Sequence, residues 1–237
     1  MVVFSIILSL LLLMAGWLTA ICFTPPQPDR FQRHIQNDRI GFLSTISIWV
    51  FHRYAIMTVA FWHVFLAIHM SLISKDSQLT TPLCPGASHV NPCLFTWSRL
   101  TFPSLALILL VGGPIRLAAF KHLGENFTFH ITTPDRLVTQ GIYHYMQHPS
   151  YVGQLILVAA CSRLFWSWDG SLGCFVTASL AENMRGAEWL FSFGLTAIFL
   201  LAFGVRIRDE EHMLKERFGE KWIAWNRRTK RFIPGII

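Results

Sequence analysis

Tyr143 to Gly153 reads YHYMQHPSYVG and sets a His-Pro pair among tyrosines at the mouth of an apolar segment, while Arg206-Ile207-Arg208-Asp209-Glu210-Glu211 closes another such segment. An arginine is a forked donor suited to holding a carboxylate, and a glutamate can hold a cationic or hydroxyl-bearing group. Each cluster alone is commonplace, since His-Pro is a frequent turn dipeptide and charges at a helix end often only mark the water boundary. The two in this order, at the ends of two apolar segments, can face each other across one membrane surface and define a site. The chain has no Cys/His spacing of a zinc site, no Gly-rich phosphate loop, no dinucleotide fingerprint and no nucleophile elbow, so the expected chemistry uses no metal.

The elements that must position these groups are membrane helices. Hydrophobic residues make up 53% of the 237, charged ones 14%, and the mean hydropathy is +0.44, a balance that leaves a soluble globule without enough polar surface. A helix needs roughly 20 mostly apolar residues to cross the hydrocarbon. Five stretches meet that length: 2–23, 46–73, 100–120, 151–180 and 189–205. The fourth carries Arg163, Asp169, Gly170 and Gly173, so it reads as one tilted helix, a helix with a re-entrant piece, or two short helices. The first has a longer apolar run than a signal peptide and no basic region before it, and reads as a signal-anchor. The expected fold is therefore all-α, a polytopic helical membrane protein with about five transmembrane helices.

Cytoplasmic loops retain the excess of Lys and Arg. With five spans, the loops 24–45 (Arg30, Arg33, Arg39), 121–150 and 206–237 fall on one side and hold 14 of the 20 basic residues. That side is expected to be cytosolic, and both clusters lie on it. Leu214, Phe218, Trp222 and Trp225 form a helical apolar stripe flanked by basic residues. Because it directly follows a span, it reads as a helix lying on an anionic leaflet and not as a nucleic-acid patch. Gly219 interrupts it and Pro234 stops it. Cys22, Cys161 and Cys174 read as small hydrophobes, whereas Cys84 and Cys93 share a lumenal loop and are either joined or free. His63 and His69 read as helix-packing residues.

The runs LGENFTFHI (123–131), LVTQGIYHYMQHPSYVG (137–153) and RIRDEEHMLKERFGEKW (206–222) resemble the carboxy-terminal half of isoprenylcysteine carboxyl methyltransferases. The resemblance covers residues 115–237 and divides the chain into three amino-terminal spans (1–114) and a methyltransferase-like region with a helix hairpin and an amphipathic tail. The His-Pro-x-Tyr and Glu-Glu parts are shared with phospholipid methyltransferases and some sterol reductases, whereas the Leu-Val and Phe-x-His parts favour the prenylcysteine branch.

What the resemblance implies is a cytosolic S-adenosylmethionine site formed by the loop before the last helix hairpin together with the carboxy-terminal helix. Its cofactor-binding residues would be Thr133, Asp135, Arg136, Leu137, Val138, Tyr143, His148, Pro149, Ser150, Tyr151 and Glu210. The catalytic residues would be Arg206, which would meet the substrate carboxylate, and Gln147, which stands where the family has arginine. Asp135-Arg136 replace a His-Thr-like pair, and the hairpin before Arg206 is longer than usual. The implied reaction is methyl transfer to the carboxylate of a prenylated cysteine, with prenylated CaaX-type proteins or prenylcysteine peptides as substrates, in the endoplasmic reticulum membrane. The carboxylate is ionised at pH 7, with a free pKa near ~3.5, and needs no general base. It needs alignment and exclusion of water. The alternatives are a phospholipid headgroup N-methyltransferase, which Arg206 disfavours, and a non-catalytic membrane protein that retains the scaffold.

Overall fold

Backbone groups withdrawn from water must be satisfied within their own segment, so the apolar stretches coil. A computed structural model of the protein describes residues 2–26, 46–73, 84–128 and 131–235, and among them there are helices and no strand. Arg30, Arg33, Arg39, Lys75, Phe129 and His130 lie outside the described residues. Helix α1 is Val2–Cys22 and α2 is Ile46–Ile73. The third stretch begins as α3 (Thr101–Ala106), widens to a π-helical turn over Leu107–Gly112 and continues as α4 (Gly113–Leu123). Pro114 has no N–H for the carbonyl one turn back, and the widened turn lies just before it.

Two glycines permit close crossings, Gly153 between α4 and the helix α5 (Pro149–Leu164) and Gly113 between α4 and α1. A Cβ on Gly153 would lie 2.8 Å from both the Arg116 nitrogen and the Gly112 oxygen. A Cβ on Gly113 would lie 2.4 Å from Leu18 of α1. Small residues at such crossings let helices pack closely without a hydrophobic driving force between them.

The fourth stretch resolves into three pieces. Helix α5, Pro149–Leu164, has 16 residues and is about 24 Å long. A tight turn over Ser171–Phe175 and the short α6, Ala178–Asn183, follow it. Among the described residues, four helical stretches are long and apolar enough to cross a membrane, namely Val3–Cys22, Val50–Ser71, Thr101–Asn126 and Trp189–Phe218; α5 is shorter than these. The chain beyond α5 packs on the loop 84–100. Arg163 reaches both oxygens of Asp169 at 2.7 and 3.1 Å, and the Asn91 nitrogen donates to the Asp169 carbonyl at 2.7 Å. Burial alone would raise the Asp169 pKa, but its bonds from Arg163, Ser167 and Asn91 hold it below the usual carboxylate value. His63 is fully buried, bridges Ser171 Oγ (3.1 Å) and the Leu94 carbonyl (3.0 Å), and stacks on Phe95.

The cysteine pairing differs from the local one offered by the sequence. Cys84 is bonded to Cys174, and Cys93 is free and exposed. The partner lies 90 residues away, brought close because the loop after α2 and the segment after α5 meet at the same end of the bundle.

Helix α7, Glu188–Phe218, ends at Gly219, whose φ of 51° is readily adopted by glycine, and α8 is Glu220–Arg228. The apolar stripe does not lie on a lipid surface. Leu214, Trp222 and Trp225 are buried in a cluster with Ala119 and Tyr143. The tail then runs beside the 146–148 segment: Gln147 N donates to the Lys230 carbonyl (2.8 Å) and His148 N to the Arg231 carbonyl (3.0 Å). Intramolecular burial of two tryptophans outweighs the amphipathic reading because the 141–148 turn offers α8 an apolar face.

Candidate active site

A cavity of about 270 Å³ lies at the end of the bundle opposite the disulfide, walled by residues from 126–128 and 131–138, the 143–154 stretch and residues 199–214 of α7. Pro149 opens α5 at its first position, where its missing N–H is not needed, and His148 stands before it. This start aims Ser150 and Tyr151 toward α4 and α7. On α7, Arg206 and Glu210 are four residues apart and share one face. Arg206 Nε donates to the Tyr151 hydroxyl at 3.1 Å, and that hydroxyl donates to Glu210 Oε2 at 3.0 Å. Arg206 is only 9% exposed. The three side chains form a relay from a cation through a phenol to a carboxylate, all lining the cavity.

Glu211 follows Glu210 by a rotation of about 100° and faces the tail. It accepts from His148 Nε2 at 3.2 Å and from Arg231 at 2.7 Å. The Glu-Glu pair thus serves two surfaces. Trp225 Nε1 donates to the Tyr143 carbonyl at 3.1 Å, and burial together with the Glu210 carboxylate raises the Tyr143 phenol pKa well above its ordinary value, keeping it protonated.

Of the residues expected from the sequence, Arg136, Leu137, Val138, Tyr143, Gln147, His148, Ser150, Tyr151, Arg206 and Glu210 line this cavity. Thr133, Asp135 and Pro149 do not, although Thr132 and Pro134 beside them do. Thr133 and Asp135 are exposed on the outer side of the loop, and Pro149 is buried in the helix start.

Gln147 is 4% exposed, and its amide nitrogen donates to the carbonyls of Asn226 and Thr229, so it ties the tail to the cavity wall. An arginine there has donors for the same two carbonyls. Gln147→Arg is therefore expected to fold with an unchanged melting temperature. A loss of several kcal/mol, the cost of an uncompensated buried ion, in a melt beside the parent in one detergent would show that the position cannot take the charge.

Arg116 was not legible as a site residue. It stands in the middle of an apolar span, with no motif beside it, yet it lines the cavity and is 2% exposed. Its Nε donates to the Cys22 carbonyl and its Nη1 to the carbonyl and hydroxyl of Ser150, and its guanidinium lies over the rings of Phe120 (4.7 Å) and Phe127 (5.4 Å). It clamps the end of α1, α4 and the first turn of α5 together. An intramembrane arginine between apolar residues is a signal of such a role.

A second space of about 260 Å³ adjoins the cavity between α1, α2, α5 and α7. Its walls are largely apolar, with Phe51 and Phe191 exposed at its outer side. Phe23, His52 and Phe199 line both spaces.

Residues 105–182, which contribute the floor and one wall of the cavity, match the model of the isoprenylcysteine carboxyl methyltransferase (ICMT) family. The chain is also similar to the protein-S-isoprenylcysteine O-methyltransferase of Dictyostelium discoideum, 30% identical over 156 residues that make up 57% of this chain and 54% of that protein. The protein of the same name from Schizosaccharomyces pombe is 32% identical over 133 residues (54% and 47%), and the one from Homo sapiens 30% over 146 residues (60% and 43%). The chain spans about half the length of the curated relatives it matches. The motifs around the His-Pro pair lie inside the matched segment, and residues 105–182 of this membrane protein are thus similar to the isoprenylcysteine carboxyl methyltransferase family.

Proposed function

We propose that this protein transfers a methyl group from S-adenosylmethionine to the carboxy-terminal carboxylate of a prenylated cysteine, forming a methyl ester. The observation that carries this reading is a buried arginine and a carboxylate, joined through Tyr151, in a cavity that shares lining residues with an apolar groove among membrane helices. A prenylated cysteine has that division: an anion at one end and a hydrocarbon chain at the other.

Arg206 is suited to the substrate carboxylate, because a buried guanidinium holds an anion without a proton transfer. The residues present fit the methyl donor as well. Glu210 offers a carboxylate to a cationic or hydroxyl-bearing part, and protonated Tyr143 adds a polar wall without a second negative charge. Bound there, S-adenosylmethionine supplies a methyl group on a positively charged sulfur. Arg206 would hold the carboxylate oxygen toward that methyl group, which would pass to it with the sulfur leaving as a neutral thioether. No base is required. Packing around Arg206 and Tyr151 excludes water, which otherwise solvates the carboxylate and dulls it as a nucleophile. Substrates of this chemistry are prenylated CaaX-type proteins and prenylcysteine peptides.

Orientation has two independent supports. Basic residues gather in the loops at the cavity end, and the Cys84–Cys174 disulfide at the other end suits an oxidising lumen. The site then faces the cytosol, from the endoplasmic reticulum membrane. In a background lacking exposed Cys93, single cysteines near Gly124 and Lys230 should react with an impermeant thiol reagent from the cytosol, and one near Ala87 should not. Lumenal labelling of the carboxy-terminal position would overturn this arrangement.

The reaction itself is tested by transfer of labelled methyl from S-adenosylmethionine, by purified protein in lipid, to acetyl-farnesylcysteine and to phosphatidylethanolamine. Transfer to the first alone is the expected result. Transfer to the second alone would identify a headgroup N-methyltransferase.

A further inference from the structure

The cavity that holds Arg206 and the apolar groove share three lining residues, Phe23, His52 and Phe199, and only the histidine among them has a side chain that can hydrogen-bond. His52 is the seventh residue of α2, about 9 Å along the helix from its start. Its ring packs at a tilt of 37° against that of Phe23, with the centroids 4.7 Å apart. Among the described residues neither ring nitrogen has a hydrogen-bond partner. An ionisable side chain placed within a span, lining two adjacent spaces and without a structural bond to make, is costly unless a ligand uses it. Helix α2 lies outside the segment matched by the family, so nothing in residues 105–182 accounts for it.

We infer that His52 is a substrate-contacting residue that hydrogen-bonds the amide of the prenylated cysteine. This rests on the prenylcysteine reading. With the carboxylate at Arg206 in the cavity and the hydrocarbon chain in the groove, the part of the substrate at the junction is the cysteine itself, whose amide is its remaining polar group. A neutral imidazole has one nitrogen with a lone pair to accept from the amide N–H. The tilted contact with Phe23 holds the ring in place between the two spaces. The residue would thereby tell a peptide-linked prenyl thioether from a simple prenyl acid.

The test compares two acceptors, acetyl-farnesylcysteine and S-farnesyl-3-thiopropionic acid, which keeps the chain, the thioether and the carboxylate but lacks the amide. His52→Phe retains a ring on Phe23 and removes both nitrogens. It is expected to raise the KM for acetyl-farnesylcysteine about three- to tenfold, the value of one neutral hydrogen bond, with the KM for S-adenosylmethionine and the melting temperature unchanged. On the thiopropionic acid the variant and the parent should be equal. His52→Gln, which keeps an acceptor, should recover much of the lost affinity for the amide-bearing substrate. An equal penalty on both acceptors, no penalty on either, or no recovery with glutamine overturns the role of His52 while the reaction stands. Absence of methyl transfer to both acceptors by the parent protein overturns the reaction and this role together.

Discussion

Arg206→Ala is expected to lower kcat/KM for a prenylcysteine on the order of ten- to a hundredfold, since a hydrogen bond to a charged group contributes about 1.5–3 kcal/mol. The structure adds a second consequence. Arg206 also donates to the Tyr151 hydroxyl, which donates to Glu210, so its removal loosens both neighbours. Tyr151→Phe separates the two contributions. It keeps the ring against Phe203, 5.1 Å between centroids, and deletes only the hydroxyl that joins cation to carboxylate. That variant should lose about tenfold, with the loss shared between acceptor and cofactor, whereas the alanine variant should lose mainly acceptor affinity or turnover. Steady-state kinetics in both substrates, with direct binding of S-adenosylmethionine, distinguishes them. If Arg206→Ala abolishes cofactor binding and leaves the acceptor untouched, Arg206 belongs to the cofactor and not to the carboxylate.

The second large effect lies at a residue that touches no substrate. Gly153→Ala places a methyl group 2.8 Å from a backbone nitrogen on Arg116 and a backbone oxygen on Gly112, neither of which can rotate away. Helices α4 and α5 must part. Overpacking of this kind costs about 1–3 kcal/mol, and here the displaced elements carry Arg116, Ser150 and Tyr151. The variant should melt at a lower temperature in detergent and lose activity out of proportion to the fraction unfolded. Gly194→Ala is the matched control: it sits in α7 with nothing within 4 Å of the added carbon, and the change from glycine to alanine should leave stability equal or raise it by up to about 1 kcal/mol. Equal melting of the two variants would mean that the close crossing at Gly153 is not what holds the first turn of α5.

The sequence by itself determined the class of this protein, the limits of three of its spans to within a few residues, and a stretch that lines the candidate cavity. These properties are local. Apolar runs of span length can only coil in lipid, and Pro149 after His148 marks a helix start wherever the chain goes next. The sequence also placed Arg206 and Glu210 together, because four residues on a helix make one turn.

Tertiary structure decided what each of these groups meets. Cys84 lies 90 residues from its partner and nine from the cysteine that shares its loop, and no rule of spacing favours the distant one. The choice follows from two loops converging at one end of the bundle. The tail stripe carries the same amphipathic pattern whether it covers lipid or protein, and only the apolar face of the 141–148 turn directed Trp222 and Trp225 inward. Glu210 and Glu211 are identical in type and adjacent in sequence, yet one enters the cavity and the other holds His148 and Arg231, because one helical step turns the side chain away. Arg116 and His52 reach the site from spans whose sequence announces nothing but a membrane. Their proximity to Ser150 and Phe23 comes from helix crossings, which long-range packing sets and local pattern does not encode.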